Sequence, residues 1–308
     1  MSGWRLLGLF WLAVLVALGT GGAVLQYLGP PPRPIASARL GPEPAPSGVP
    51  ADAPVPAQPD RQPRLPIQAS AAAFDRSTRR PWVGLLLAGV GLNLTDSERA
   101  VKVLPAGVTL VVSPYAAAPG SLLAAARRAG HEYLVAIPME PQGYPLNDPG
   151  NHALMTTLPP EQNRAVLNWV LARIDGYVGA TAALGALRGE RFVGMQDQME
   201  PVFATLGERG LLYVDPRPDA PRPPYVWSRG IDLVVDEPPT HTEIDAKLDR
   251  LERLAQDKGS ALGLVTAVRP VTIDRIAAWA SGLAGRGVAL APVSALVEPP
   301  SDKESAAQ

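Results

Sequence analysis

Beyond Pro81, short runs of apolar residues alternate with stretches in which apolar positions recur every three or four residues. The short runs are Trp82–Val90, Thr109–Ser113, Tyr133–Ile137, Leu211–Asp215, Ile231–Val235, Ala261–Thr266 and Gly287–Ala291. They are rich in Val and Leu and read as buried strands. Between them, Val166, Val170, Leu171 and Ile174 share one helical face, as do Ile244, Leu248, Leu251 and Leu254, and again Ile273, Ile276, Ala280 and Leu283. Each stripe reads as core. Strands alternating with amphipathic helices predict an α/β domain on a largely parallel sheet. About seven such units in about 220 residues favour a closed or partly closed barrel over a small open sheet.

Upstream the pattern is different. Leu6–Leu28 is uncharged, follows Arg5, and as a helix would reach about 34 Å, enough to cross a bilayer. The lone flanking positive charge predicts that Met1 stays in the cytoplasm and the rest lies outside. Small residues at Ala17, Gly19, Gly21, Gly22 and Ala23 leave a cleaved signal peptide as the alternative. From Gly29 to Arg80 the chain is rich in Pro, Ala and short polar residues, including Pro30-Pro31-Pro32, and reads as an extended polyproline linker. The expected organisation is an anchor or signal at 1–28, a linker at 29–80, a folded domain at 81–298 and a tail at 299–308.

Charge and composition narrow the function. Among the 308 residues, 28 basic and 29 acidic side chains give a net charge of -1, with no long run of one sign. Nucleic acid is not an expected partner, because the counterion release that dominates such binding needs clustered cations. With no cysteine, disulfides, thiolate zinc sites and cysteine nucleophiles are excluded.

Short motifs add little. Gly89-Val90-Gly91 follows a strand, but the third glycine of a dinucleotide fingerprint would fall at Leu94. His131-Glu132 opens like a zincin helix, yet the second histidine would fall at Val135. His131, His152 and His241 lie far apart in sequence and read as surface or loop-bonding residues. Glu140, Asp148 and Asp215 stand next to turns or strand ends, as candidate acids, bases or hydrogen-bond acceptors, with structural roles as the alternative.

Taken in order, Pro138-Met139-Glu140-Pro141, Asn147-Asp148-Pro149-Gly150, Val178-Gly179 with Gly185, Leu211 to Asp215 and Pro292-Val293-Ser294 resemble the divergent polysaccharide deacetylase family from about Trp82 to Val297. The resemblance implies a distorted seven-stranded β/α barrel and a bacterial envelope protein related to enzymes that deacetylate N-acetylated sugars. It also implies where metal-binding and proton-transfer groups would stand. The Asp-Asp pair after the first strand corresponds to Ala88 and Gly89, and the histidine before Pro-Met-Glu-Pro to Ala136. A further histidine corresponds to Ala183, and a C-terminal histidine and glutamate to Ala267 and Val271.

None of these six side chains can ligate a metal, so no metal or cofactor is expected. The leading expectation is a pseudoenzyme that binds a glycan or an envelope protein in the old cleft, lined by Asn93, Tyr115, Glu140, Asp148 and Asp215. Alternatives are a metal-free hydrolase using Asp215 or Glu140 as base, and a tethered structural protein without a ligand. The expected location is the bacterial inner membrane, single-pass with the domain in the periplasm, or the periplasm after signal cleavage.

Overall fold

A computed structural model describes residues 11, 12, 14 and 65–301. The Leu6–Leu28 span lies outside the described residues except for Trp11, Leu12 and Val14, which are helical, and most of the linker lies outside them too. Among the described residues no helix is long and apolar enough to cross a membrane.

Among the described residues, nine strands form one parallel sheet: β1 (Trp82–Val90), β2 (Val108–Val112), β3 (Tyr133–Ala136), β4 (Gly179–Thr181), β5 (Leu212–Pro218), β6 (Ser228–Ile231), β7 (Leu233–Val234), β8 (Ser260–Val265) and β9 (Ala289–Leu290). Eight of them follow the order β6-β5-β4-β3-β2-β1-β8-β7 and curl into a near-closed barrel. β9 pairs only with Trp82 and Val83, ahead of Leu85, where the β1–β2 pairing begins. The expected count of seven differs for three reasons. β4 is only three residues long and was not seen, and the segment read as Ile231–Val235 is broken at Asp232 into β6 and β7. The segment read as Gly287–Ala291 contributes only β9.

Side-chain alternation divides the barrel strands into two apolar layers. Leu86 and Ala88, Leu134 and Ala136, Leu212 and Val214, and Leu262 and Leu264 share one cluster inside the ring. Their neighbours Leu85, Leu87, Val135, Tyr213 and Val265 face the surrounding helices. Among the described residues these are α2 (Leu94–Val103), α3 (Gly120–Arg128), α4 (Pro160–Leu171), α5 (Glu190–Val193), α6 (Gln196–Glu208), α7 (His241–Lys258) and α8 (Pro270–Leu283), while α1 (Pro66–Ala69) and α9 (Val293–Leu296) pack on the inner cluster. The helical stripes read from the sequence face this outer layer, except that α4 stops short of Ile174. α7 shows how locally the helices are specified: Thr240 caps it by accepting from the Glu243 amide, and Gly259 ends it at φ 84°.

The linker was expected to run to Arg80, but residues from 65 onward pack on the domain. Ile67 and Phe74 join the inner cluster, and Phe74 meets Trp82 edge-on at 5.2 Å. Buried Glu132 gathers this end of the barrel. Its carboxylate accepts from Ala72 N at 3.1 Å, Thr109 Oγ1 at 3.1 Å and Ser294 N at 2.9 Å. His131 is buried beside it, with Nδ1 2.9 Å from Val108 O and Nε2 3.3 Å from Val101 O. In α2 the Val101 carbonyl would accept from residue 105, which is Pro105 and has no N–H; the imidazole takes that place. The zincin-like pair is therefore structural.

The ring of hydrogen-bonded strands is interrupted between β6 and β7, the two ends of the path, and side chains from this segment bridge to β8. Arg229 donates through Nη1 to Ser260 Oγ at 2.9 Å and pairs with Asp232 at 3.3 Å. Asp232 Oδ2 accepts from Leu262 N at 2.9 Å while its own N–H donates to Leu262 O at 2.7 Å.

Candidate functional site

In parallel barrels chemistry sits at the C-terminal ends of the strands, where the connecting loops converge. Here that end carries small apolar side chains. Ala88, Ala136 and Ala183 follow from β1, β3 and β4, are at most 1% exposed, and belong to one contiguous apolar cluster. Gly89 and Gly185 take positive φ of 82° and 61°, and a Cβ added to Gly89 would lie 3.8 Å from Gly185 Cα and 3.9 Å from Thr266 O. The loops after β1, β4 and β8 thus approach to van der Waals distance beside the alanines. Ala267 follows on the same rim and is partly exposed, whereas Val271 lies in the first turn of α8 and packs on the outer layer.

Sequence reading missed the carboxylate of this rim. Asp236, just past β7, is fully buried and accepts from Thr266 N at 2.7 Å, Thr266 Oγ1 at 3.1 Å and Ala267 N at 3.1 Å. Arg269 Nη1 approaches it at 3.6 Å. The criterion that selected Asp215, an acid at a strand end, applies equally to Asp236 and would have found it.

The deacetylase-like barrel implies a divalent metal at this mouth, and the residues present do not fit one. The six corresponding positions offer no ligating atom on any side chain, and Asp236 already receives three hydrogen bonds and a guanidinium. Among the described residues no group of three or more His, Asp or Glu side chains is arranged to hold a metal.

The five candidate binding residues each have a local hydrogen-bond partner. Asn93 caps α2 by accepting from the Asp96 amide at 3.1 Å. Glu140 is buried; Oε2 accepts from Thr156 N and Oγ1, both at 2.7 Å, and Oε1 pairs with Arg191 at 2.8 Å. It fastens the Pro-Met-Glu-Pro turn to the following loop and to α5. Asp215 is held in a bidentate pair by its neighbour Arg217, with Oδ1 accepting from Nε at 3.0 Å and Oδ2 from Nη2 at 2.8 Å. That hydrogen bond raises the guanidinium pKa above its ordinary value.

Tyr115 and Asp148 do come together. Asp148 Oδ1 accepts from Gly150 N at 2.8 Å, which turns the loop, and the Tyr115 hydroxyl donates to Pro149 O at 3.0 Å and accepts from His152 N at 3.1 Å. Gly150, at φ 92°, must lack a side chain here, because a Cβ would lie 2.8 Å from Tyr115 Cζ. Desolvation raises the Tyr115 pKa. His152 stacks on Trp169 at 3.6 Å, and Arg173 lies over the same indole at 5.0 Å.

A cavity of about 830 Å³ lies between α6 and the loop joining β5 to β6, with Asp215 and Arg217 in its lining.

Comparison with known proteins agrees with this architecture. A crystal structure of an uncharacterized protein from Agrobacterium tumefaciens C58 is 33% identical, covers 76% of this chain and 95% of its own, and superposes with a TM-score of 0.69. A Mycobacterium smegmatis protein assigned to the polysaccharide deacetylases is 13% identical over 78% of this chain and 99% of its own, with a TM-score of 0.52, and shares the fold. A search of curated proteins finds no match. The sequence profile of the divergent polysaccharide deacetylases matches residues 85–297. With that match spanning most of the chain, on a barrel of the corresponding shape, the protein belongs to the divergent polysaccharide deacetylase family.

Proposed function

We propose that this protein is a non-catalytic, glycan- or partner-binding member of its family. The observation that carries the reading is the buried alanine cluster Ala88, Ala136 and Ala183, where metal ligands would have to stand. Hydrolysis of an amide by this fold needs a polarised water, and the side chains at the mouth supply neither a metal-ligand set nor an unengaged base. The metal-free alternative is disfavoured because Asp215 and Glu140 are each paired with an arginine and stand on different loops. Fold alone does not fix activity, so the argument rests on these side chains.

The Leu6–Leu28 segment and the proline-rich stretch after it support placing the chain in the inner membrane with the domain in the periplasm. Fractionation and a topology reporter fused after Gln308 test that placement.

The decisive experiment incubates the purified full-length chain with zinc and other divalent ions, measures bound metal, and follows acetate release from N-acetylglucosamine oligomers. No stoichiometric metal and no acetate is the expected result. Metal at one equivalent together with turnover would overturn the reading.

A further inference from the structure

We infer that residues 65–80 form a detachable strap, a spare length of tether that peels off the base of the barrel and re-docks while residues 82–297 stay folded. Its use as a tether rests on the membrane placement proposed above; its detachment does not.

The strap is held at few points, and none of them is deep. Each of its 16 residues is exposed or only partly buried, whereas β1, which follows it, is buried from Val83 to Val90. Two apolar contacts carry the strap. At one end Leu65 rests on Gly210, where an added Cβ would lie 2.7 Å from Leu65 Cδ2, and Ile67 N donates to Gly210 O at 3.2 Å. At the other end Phe74 meets Trp82 edge-on. Between them Ala69-Ser70-Ala71-Ala72-Ala73 offers only small side chains. Among the described residues the remaining hydrogen bonds from strap to barrel are Ala72 N to Glu132 Oε2 at 3.1 Å, Arg76 Nη2 to Ser294 O at 2.8 Å and Arg80 Nη1 to Ala284 O at 3.4 Å. A segment with so few buried apolar contacts opens at a free energy below that of global unfolding.

Detachment leaves no buried charge stranded. When Ala72 withdraws, Glu132 Oε2 still accepts from Ser294 Oγ, and Oε1 from Thr109 Oγ1 and Ser294 N. The carboxylate network therefore closes on itself without the strap, and the desolvation penalty of an orphaned acceptor is not incurred.

The opening also has a fixed end. Trp82 starts β1, which pairs with β2 on one side and with β8 and β9 on the other. Trp82 N donates to Gly259 O at 2.9 Å, and Pro81 O accepts from Ala289 N at 2.9 Å. A pull arriving from the N-terminal side meets the strap contacts one at a time, beginning at Leu65, but would have to break the ladders of β1 together. Drawn out in an extended conformation, the strap adds about 50 Å of reach, at about 3.1 Å per residue. A partner pulling the domain away from the membrane would draw on this length before it strained the barrel.

The test is native-state hydrogen exchange of the full-length chain, read by mass spectrometry on peptides from 65–80 and from β1 and β8. Exchange at Ile67 and Ala72 is expected to be slower than in an unstructured peptide by about tenfold or more, and faster than in β1 and β8 by about a hundredfold or more. Urea should leave the strap rate almost unchanged until the barrel itself unfolds. Phe74→Ala should speed the strap about tenfold or more, and Arg76→Ala by a smaller factor, with β1 and β8 unaltered in both. Strap exchange as fast as an unstructured peptide overturns the docking. Strap exchange as slow as the strands, or as steeply dependent on urea, overturns the detachment, as does a Phe74→Ala variant that speeds β1 and β8 as much as the strap. Fractionation that finds the chain away from the membrane would overturn the tether use and leave the strap standing, since the exchange results do not depend on a membrane.

Discussion

Replacing Asp236 by alanine separates a structural carboxylate from one kept for chemistry. The Thr266 amide is fully buried and would lose its only acceptor, at a cost of about 1–3 kcal/mol. The partly exposed Ala267 amide and the Thr266 hydroxyl would each add about 1 kcal/mol. Arg269 is 43% exposed and 3.6 Å away, so its share is under about 1 kcal/mol after solvent screening. The sum is about 3–5 kcal/mol, or a fall in Tm of about 6–20 °C for a domain of this size. Asp236→Asn keeps one acceptor oxygen but turns an NH2 toward the second amide, and should lose about 2–3 kcal/mol. Urea unfolding of the full-length chain measures both, and hydrogen exchange at Thr266 and Ala267 reports whether the rim loosens. A loss below about 1 kcal/mol for the alanine variant would refute the reasoning. A gain in stability would point the other way, to a carboxylate retained at a stability cost for function.

Other perturbations discriminate among packing, conformation and charge. Gly179→Ala in β4 places a methyl 2.5 Å from Leu212 Cγ and against the Leu212 carbonyl, and should cost more than about 3 kcal/mol in urea unfolding. Gly259→Ala has open space but a φ of 84°, so its loss should be confined to about 1 kcal/mol by the same assay. Tyr213→Phe removes a buried hydroxyl with no partner and should be neutral or stabilising by up to about 1 kcal/mol in thermal melts. Burial raises the pKa of Tyr115, Tyr133, Tyr177 and Tyr213 above 10.0, so the unfolded chain releases these protons first. Stability is therefore fully present below about pH 10 and declines as pH rises through the folded values, and tyrosinate absorbance should grow together with loss of the circular dichroism signal. Ionisation near pH 10 of more than three of the seven tyrosines in a chain that stays folded would contradict that assignment.

Where one periodicity ran uninterrupted the sequence was readable. β1 and β8 emerged nearly at their observed limits, and the stripes of α7 and α8 were found on their buried faces, because each is continuous and apolar on that face. β4 was lost because three residues, Gly179-Ala180-Thr181, carry no alternation, and their burial comes from neighbours on both sides. α6 was hidden by Pro201 inside it and by Gly207 near its end. The partner change at Asp232 could not be read from Ile231–Val235, where every other residue is apolar. At the candidate site, Ala88, Ala136 and Ala183, which the resemblance singled out, belong to one buried apolar cluster inside the ring. Among the proposed lining residues, an acid beside a turn is as easily used to hold the turn, as Asp148 and Glu140 show. The cavity beside β5 had no sequence signal, for its lining comes from segments far apart in the chain, 193–203, 215–225 and Ser301.

The broken ring also bears on how this protein avoids sticking to itself. β6 and β7 are the two ends of the eight-strand path, and such ends are ordinarily where a sheet recruits a neighbour. Here a single residue, Asp232, joins them, so the covalent chain bridges the interruption that the hydrogen-bond ladder leaves. What remains of the β6 edge is paired with the segment after α9, where Ser228 and Glu298 exchange backbone hydrogen bonds at 3.0 and 2.9 Å. A chain trimmed back to Val297 would keep its core but uncover those groups, and its first fault would be intermolecular: a tendency to dimerise or aggregate through β6 at temperatures where each copy is still folded.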